Sequence, residues 1–182
     1  MSARQRLLDH LTTHALRTDG PFTLRSGAVA DWYLDARQTT FDGDGARAVG
    51  ASVLDRLDDS VVAVGGLTMG ADPIAVATAI AASATGRPLA AFSIRKAAKE
   101  HGTGGRLVGP VTAGARVCLV EDTSTTGGAF FEAHDVAVAE GLVPVQAICL
   151  VDRSAGAVAA GMADRRVPYE ALFEPSDLGV TA

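Results

Sequence analysis

Arg116-Val-Cys-Leu-Val120 runs without a break into Glu121-Asp122-Thr123-Ser124-Thr125-Thr126-Gly127-Gly128-Ala129, and a helical pattern follows over Ala129–Glu140. The opening residues form an apolar run with little alternation, as expected of a strand buried on both faces. After the two acids come small hydroxyl residues and glycines, which let backbone N–H groups approach an anion closely. The helix N-terminus behind them adds partial positive charge. The segment therefore reads as a strand–loop–helix cradle for a phosphate. Two acids ahead of it would repel a bare phosphate. They make sense if the ligand also carries hydroxyls or a magnesium ion beside that phosphate, and a ribose 5-phosphate fits. The Gly-Lys-Ser/Thr ending of a P-loop is missing, and no G-x-G-x-x-G fingerprint occurs. An ordinary capped turn is the plain alternative; its length, the paired acids and the Thr-Thr-Gly-Gly run argue together against it.

Working outward, Val61–Gly65, Pro88–Ile94 and Val145–Val151 repeat the same apolar pattern. A helix is expected over Pro73–Ala84, with Asp72 as its N-cap and Pro73 at its first helical position. Alternation of strand and helix predicts an α/β fold with a parallel sheet. Ahead of this core, Ala3–Leu16 reads as an amphipathic helix with Leu7, Leu8 and Leu11 on one face, and Gly45–Leu57 as a second helix. Phe22–Gly27 and Trp32–Asp35 read as two short extended segments joined by a turn, and Trp32 as partly buried packing beside them. The tail from Gly156 holds one more helix and a polar end. His10 and His14 stand at i, i+4 and no acidic or cysteine partner follows nearby, so a solvent-facing pair is expected rather than a metal site. Arg165 and Arg166 read as a solvated face, and His134 as exposed or satisfied in the core.

At 182 residues one domain is the expectation, and the 48% hydrophobic content is ample for a core. The net charge of −5 argues against a general nucleic-acid binder. There is no charged-then-apolar leader and no apolar run long enough to span a bilayer, so a cytoplasmic protein without membrane partners is expected. Cys118 and Cys149 lie in strand-like runs and are expected to be buried free thiols.

The basic residues are distributed unevenly. Lysine occurs only at Lys96 and Lys99, inside Arg95-Lys-Ala-Ala-Lys-Glu-His-Gly-Thr-Gly-Gly-Arg106; every other basic side chain is arginine. Lysine offers a compact ammonium on a flexible stem where arginine offers a rigid fork. With Arg95 and His101 the lysines form a cationic cluster ahead of a glycine run. The segment reads as a loop that closes over a polyanion.

These residues carry a resemblance. Val117–Ala129 resembles the phosphoribosyl-diphosphate (PRPP) signature of type I phosphoribosyltransferases. Arg95-Lys96-x-x-Lys99-x-His101-Gly102 resembles the catalytic loop of the orotate phosphoribosyltransferases. Thr23-Leu-Arg-Ser-Gly27 with Trp32-Tyr-Leu-Asp-x-Arg37 resembles that family's N-terminal orotate-binding hairpin, and Val151-Asp-Arg153 the strand end whose arginine meets the orotate carboxylate. Together these matches span Phe22 to Arg153 in the expected order.

The resemblance implies a central, mostly parallel sheet flanked by helices. A small hood would be formed mainly by residues 1–40 and part of the C-terminal region. It implies conversion of orotate and PRPP to orotidine 5′-monophosphate and pyrophosphate, a step of pyrimidine synthesis. Thr123, Ser124, Thr125, Thr126, Gly127, Gly128 and Ala129 would hold the 5′-phosphate. Glu121 and Asp122 would bind the ribose hydroxyls. Arg95, Lys96, Lys99 and His101 would grip the leaving pyrophosphate, one loop residue being donated across a homodimer. Thr68, Met69 and Gly70 occupy the pyrophosphate-loop position, where some members carry a lysine and backbone amides would serve here. Arg25, Tyr33, Leu34, Thr125 and Arg153 match the orotate contacts. Magnesium would be held mainly by PRPP, with no direct protein ligand. A phosphoribosyltransferase for a purine base, or a regulator that binds PRPP or RNA without turnover, is the alternative. Arg25 and Arg153 have little purpose with a purine, and the net charge does not suit RNA.

Overall fold

The structure, a computed structural model, describes residues 1–23, 27, 29–98 and 105–181. In chain order the elements begin with α1 (Ala3–His10), continued by one π-helical turn over Leu11–Ala15. Then follow β1 (Leu16–Arg17), β2 (Phe22–Thr23), β3 (Val29–Ala30), β4 (Tyr33–Leu34), α2 (Arg37–Thr40) and α3 (Gly43–Leu54). The core continues with β5 (Ala63–Leu67), α4 (Ala71–Ala84), β6 (Ala90–Ile94), β7 (Leu107–Val108), β8 (Arg116–Ser124) and α5 (Gly128–Ala139). It ends with β9 (Val143–Asp152), α6 (Ala157–Asp164), β10 (Tyr169–Phe173) and a 3₁₀ turn at Pro175–Leu178.

The central sheet runs β10-β9-β8-β5-β6-β7, parallel throughout except for β7 at the edge. Helices cover both faces, which explains why the strand sequences show no polar alternation. Val64, Cys118, Val120, Ile148 and Leu150 point into one core with Leu7 and Leu11 of α1, Val49 and Val53 of α3 and Ile74 of α4. Their sequence neighbours Ala63, Val117, Leu119, Ala147 and Cys149 point the other way, against Phe130 and Ala133 of α5 and Val158 and Met162 of α6. Each fully buried Leu or Ile contributes roughly 1.5–3 kcal/mol. Both cysteines are free and buried. Among the described residues no helix is long and apolar enough to cross a membrane.

Several expectations change. The two N-terminal extended segments do not simply pair with each other: β2 pairs with β3, while β4 pairs back onto β1, both antiparallel. α3 starts at Gly43 because the Asp42 side chain accepts from the N–H groups of Asp44 and Gly45, both at 2.9 Å. α4 starts at Ala71, so Asp72 sits in its first turn rather than at its N-cap. The tail holds a further strand, β10, parallel to β9. His10 is not solvent-facing: its ring nitrogens meet Thr39 Oγ1 at 3.1 Å and Asp42 Oδ1 at 3.0 Å, joining α1 to α2 and the start of α3. His14, exposed as expected, stacks on it with ring centroids 4.3 Å apart. Arg165 is likewise not merely solvated, since its guanidinium lies 4.4 Å over the Phe131 ring.

Candidate active site

β8 extends past its apolar run to Ser124 and so carries both acids to the carboxyl edge of the parallel sheet. That edge is where open α/β sheets bind ligands. Three other segments converge there: the turn from β5 into α4, the stretch from β4 into α2, and Lys96 just beyond β6. Thr68, Met69, Gly70, Tyr33, Leu34, Lys96, Glu121, Asp122, Thr123 and Ala129 thereby line one cavity of ≈ 350 Å³, a ligand-sized space.

Glu121 is only 8% exposed. Burial, with the neighbouring Asp122 carboxylate second, pushes its pKa up to about 9, so it is a neutral acid near pH 7. Asp122 accepts from the Thr123 N–H at 2.7 Å. Facing the pair is Gly70, where a Cβ would stand 2.5 Å from Glu121 Oε1 and 2.7 Å from Asp122 Oδ1. Without a Cβ, Gly70 lets the turn before α4 approach the acids this closely; a larger residue would need the carboxyl ends or the turn to shift. The turn is pinned by the Thr68 N–H donating to Ile94 O at 2.8 Å and the Thr68 hydroxyl donating to Asp72 Oδ2 at 2.6 Å. Asp72 Oδ1 is buried without a partner among the described residues.

The turn into α5 is shorter than the expected loop, because Glu121, Asp122, Thr123 and Ser124 belong to β8. Gly127 caps α5 with φ +81°, and a Cβ there would also run into the Phe131 ring. Ser124 is buried, and its hydroxyl accepts from the Gly127 N–H at 3.2 Å, holding the turn. Thr125, Thr126 and Gly128 are exposed at its tip, where the first N–H groups of α5 lack intrahelical acceptors.

The stem of the basic loop is fixed on both sides. Arg95 N–H donates to Arg106 O at 2.9 Å, and Arg106 Nε donates back to Arg95 O at 2.6 Å. The Arg106 guanidinium also pairs with Glu132 on α5. Lys96 is exposed at the cavity mouth. Lys99, His101 and Arg25 lie outside the described residues.

Arg153 is not among the residues that line the main cavity, but it lies near Tyr33, which is. Its N–H donates to Ser124 O at 2.8 Å, tying the end of β9 to the cradle. Its guanidinium lies 4.1 Å over the Trp32 ring and lines a second space of ≈ 280 Å³ with Asp152 and Glu174. The Arg37 side chain also lines the main cavity, its Nε 2.7 Å from Asp35 Oδ1. In the sequence Arg37 stands only as part of the hairpin pattern; a cation two residues after an acid at a strand end is the signal that points to it. Asp72 was assigned only a capping role. Among the described residues no cluster of three or more His, Cys, Asp or Glu side chains is placed to hold a metal.

No family model matches the chain. The chain is similar to the orotate phosphoribosyltransferase of Streptomyces avermitilis, 45% identical over 177 residues that cover 97% of this chain and 94% of that one. A crystal structure of Mycobacterium tuberculosis orotate phosphoribosyltransferase superposes with a TM-score of 0.83 at 35% identity, covering 98% and 99% of the two chains. Another structure of that enzyme, in complex with PRPP, gives 0.78 at 32% identity, covering 98% and 99%.

Proposed function

The chain belongs to the orotate phosphoribosyltransferases, pentosyltransferases of pyrimidine biosynthesis, and from that premise we propose how its residues perform the transfer. Orotate N1 gives up its proton and bonds to ribose C1′ while the C1′–O bond to the diphosphate breaks, the electron pair leaving with pyrophosphate, whose oxygens can take up the proton. The observation that carries this reading is the convergence of Glu121, Asp122, Lys96, the Gly70 turn and the Thr123 cradle on one cavity.

The cradle from Thr123 to Ala129 holds the 5′-phosphate through backbone N–H groups at the start of α5. Glu121 and Asp122 receive the ribose hydroxyls. Glu121, neutral when no ligand is bound, can donate as well as accept, while Asp122 faces the positive charge that grows on the ring. Thr68, Met69 and Gly70 present the N-terminus of α4 to the pyrophosphate. Lys96, with Arg95, Lys99 and His101, balances the charge gathering on the leaving group, and closure of the loop excludes water. Tyr33, Leu34, Arg25, Thr125 and Arg153 hold orotate.

Magnesium fits as an ion carried by PRPP, because among the described residues the cavity acids Asp35, Glu121 and Asp122 are not gathered into a ligand cluster, and Asp35 is paired with Arg37. When bound it neutralises diphosphate charge. The chain acts as one domain whose residues 1–40 and part of the C-terminal region form a hood. In support, Trp32 and Leu34 share a core cluster with the sheet residues Val120 and Val151. It acts as a homodimer; exposed Phe41, Val76 and Ile80 offer apolar surface for a second copy to cover. Two buried free thiols suit a cytoplasmic location.

The test is orotate consumption followed by ultraviolet absorbance, with PRPP and magnesium present and then each omitted. Loss of orotate only in the complete mixture is expected. No loss with folded protein would overturn the reading, and loss without added magnesium, in the presence of a chelator, would overturn the metal requirement.

A further inference from the structure

The Arg153 guanidinium is held in an unusual way. It is half-buried, and burial lowers its pKa from the ordinary value, so leaving it without a partner is costly. Yet among the described residues it has no carboxylate partner. Neither acid beside it makes an ion pair with it. Asp152 accepts from the Tyr169 hydroxyl at 2.9 Å and from the Ser154 N–H at 2.7 Å. Glu174 opens the 3₁₀ turn at Pro175–Leu178, where its N–H donates to Asp177 Oδ2 at 2.9 Å. What holds the guanidinium is the face of Trp32, 4.1 Å away. Trp32 is 9% exposed, and its Nε1–H donates to Thr181 O at 2.8 Å, which fixes the ring plane.

A salt bridge would hold Arg153 by its N–H groups and compete with any anionic ligand. An indole face holds it by its π surface and leaves the edge N–H groups for a planar carboxylate, which they match in a bidentate pair. We propose that Trp32 is the positioning residue that holds Arg153 ready for the substrate carboxylate, and so sets the preference for a carboxylated over an uncharged pyrimidine. This deepens the orotate reading and rests on it.

Trp32 is the only tryptophan in the chain, which permits a shape-conserving test. Biosynthetic replacement by mono-, di- and trifluorotryptophan withdraws charge from the ring face in steps while keeping the Nε1–H. The KM for orotate is expected to rise progressively, by about five- to tenfold across the series, from the loss of a desolvated cation–π contact. The KM for PRPP and kcat should stay within about twofold, since the contact bears on orotate binding alone. Trp32→Leu should raise the orotate KM at least as far, and Trp32→Phe, which keeps a ring face, should recover most of the loss. The ratio of kcat/KM for orotate to that for uracil should fall in parallel. A flat fluorination series, or one that moves both KM values together, overturns the proposal. Arg153→Ala separates it from its premise: if that variant loses orotate saturation while the series is flat, only the role of Trp32 fails. If Arg153→Ala leaves the orotate KM unchanged, the assignment of the carboxylate to Arg153 fails, and this proposal with it.

Discussion

Gly70 faces Glu121 in the active site so closely that a single added methyl would crowd the acid: the Cβ would stand 2.5 Å from Glu121 Oε1. The turn before α4 and the end of β8 are therefore one unit. Gly70→Ala must push either the turn or both carboxyls aside. Overpacking of this kind costs about 1–3 kcal/mol. We expect a lower melting temperature and a kcat/KM for PRPP reduced by about tenfold or more, because a shift of about 1 Å at a positioned group is enough. Steady-state kinetics at saturating orotate, beside a thermal melt, would check both. An unchanged PRPP KM would show that the turn moves freely.

The proton on Glu121 sets a pH dependence opposite in sign to that of an ordinary ion-paired acid. Its folded pKa of about 9 lies above the unfolded value of 4.5. Folding thus favours the protonated form. The contribution to stability is fully present below the unfolded value and is lost as pH rises toward the folded one. The unfolded chain binds fewer protons over that interval, so stability falls by up to about 1.4 kcal/mol per pH unit from this group. Glu121→Gln keeps the shape and is always neutral. The ligand-free variant should melt above the wild type at pH 8, with a flatter melting profile between pH 6 and 9, yet lose on the order of 10²-fold in kcat. Parallel profiles for the two proteins would mean that Glu121 is ionised in the folded chain.

How far the sequence reveals this site depends on how local the determinants are. The segment from Arg116 to Ala129 is continuous, so its apolar strand, acids and helix could be read directly, although the strand runs on through the acids to Ser124. The parallel sheet followed from four apolar runs of the same kind. β10 escaped because Glu170 interrupts the apolar run of Tyr169-Glu-Ala-Leu-Phe173, which pairs only with β9. β1 to β4 span two residues each, too short for a periodicity, and their pairing is set by tertiary contacts. The start of α4 escaped because Gly70 makes no side-chain cap, leaving Asp72 as the apparent one. The stacking of Arg153 on Trp32 joins distant parts of the chain, and no local pattern encodes it.

Arg106 is the hinge pin of the basic loop. It ties the loop's two ends together through Arg95 O and anchors them to Glu132 on α5. Hydrogen bonds to charged groups contribute about 1.5–3 kcal/mol when partly buried. Arg106→Met keeps the apolar stem and removes these bonds. A fall in melting temperature of roughly 3–12 °C is expected for a chain of this size, with a severalfold higher KM for PRPP and little change in the KM for orotate. Equal increases in both KM values would place the damage in the core rather than in the loop.

The last prediction concerns whose loop closes over whose cavity. Lys99→Ala should depress turnover severely while leaving the fold intact, because Lys99 serves the leaving pyrophosphate. Glu121→Gln should do the same from the body of the site. If the loop is donated across a homodimer, each mixed dimer regains one intact site: the Glu121 body of one protomer with the Lys99 loop of the other. The opposite site carries both defects. Random exchange of equal amounts makes half the dimers mixed, so activity should recover to about a quarter of the wild-type level, the arithmetic of a two-fold assembly. Unfolding the two variants together and refolding them, then assaying orotate consumption, reads this directly. Separately refolded variants mixed without exchange should stay inactive. Recovery absent after verified exchange would mean that each loop serves its own cavity.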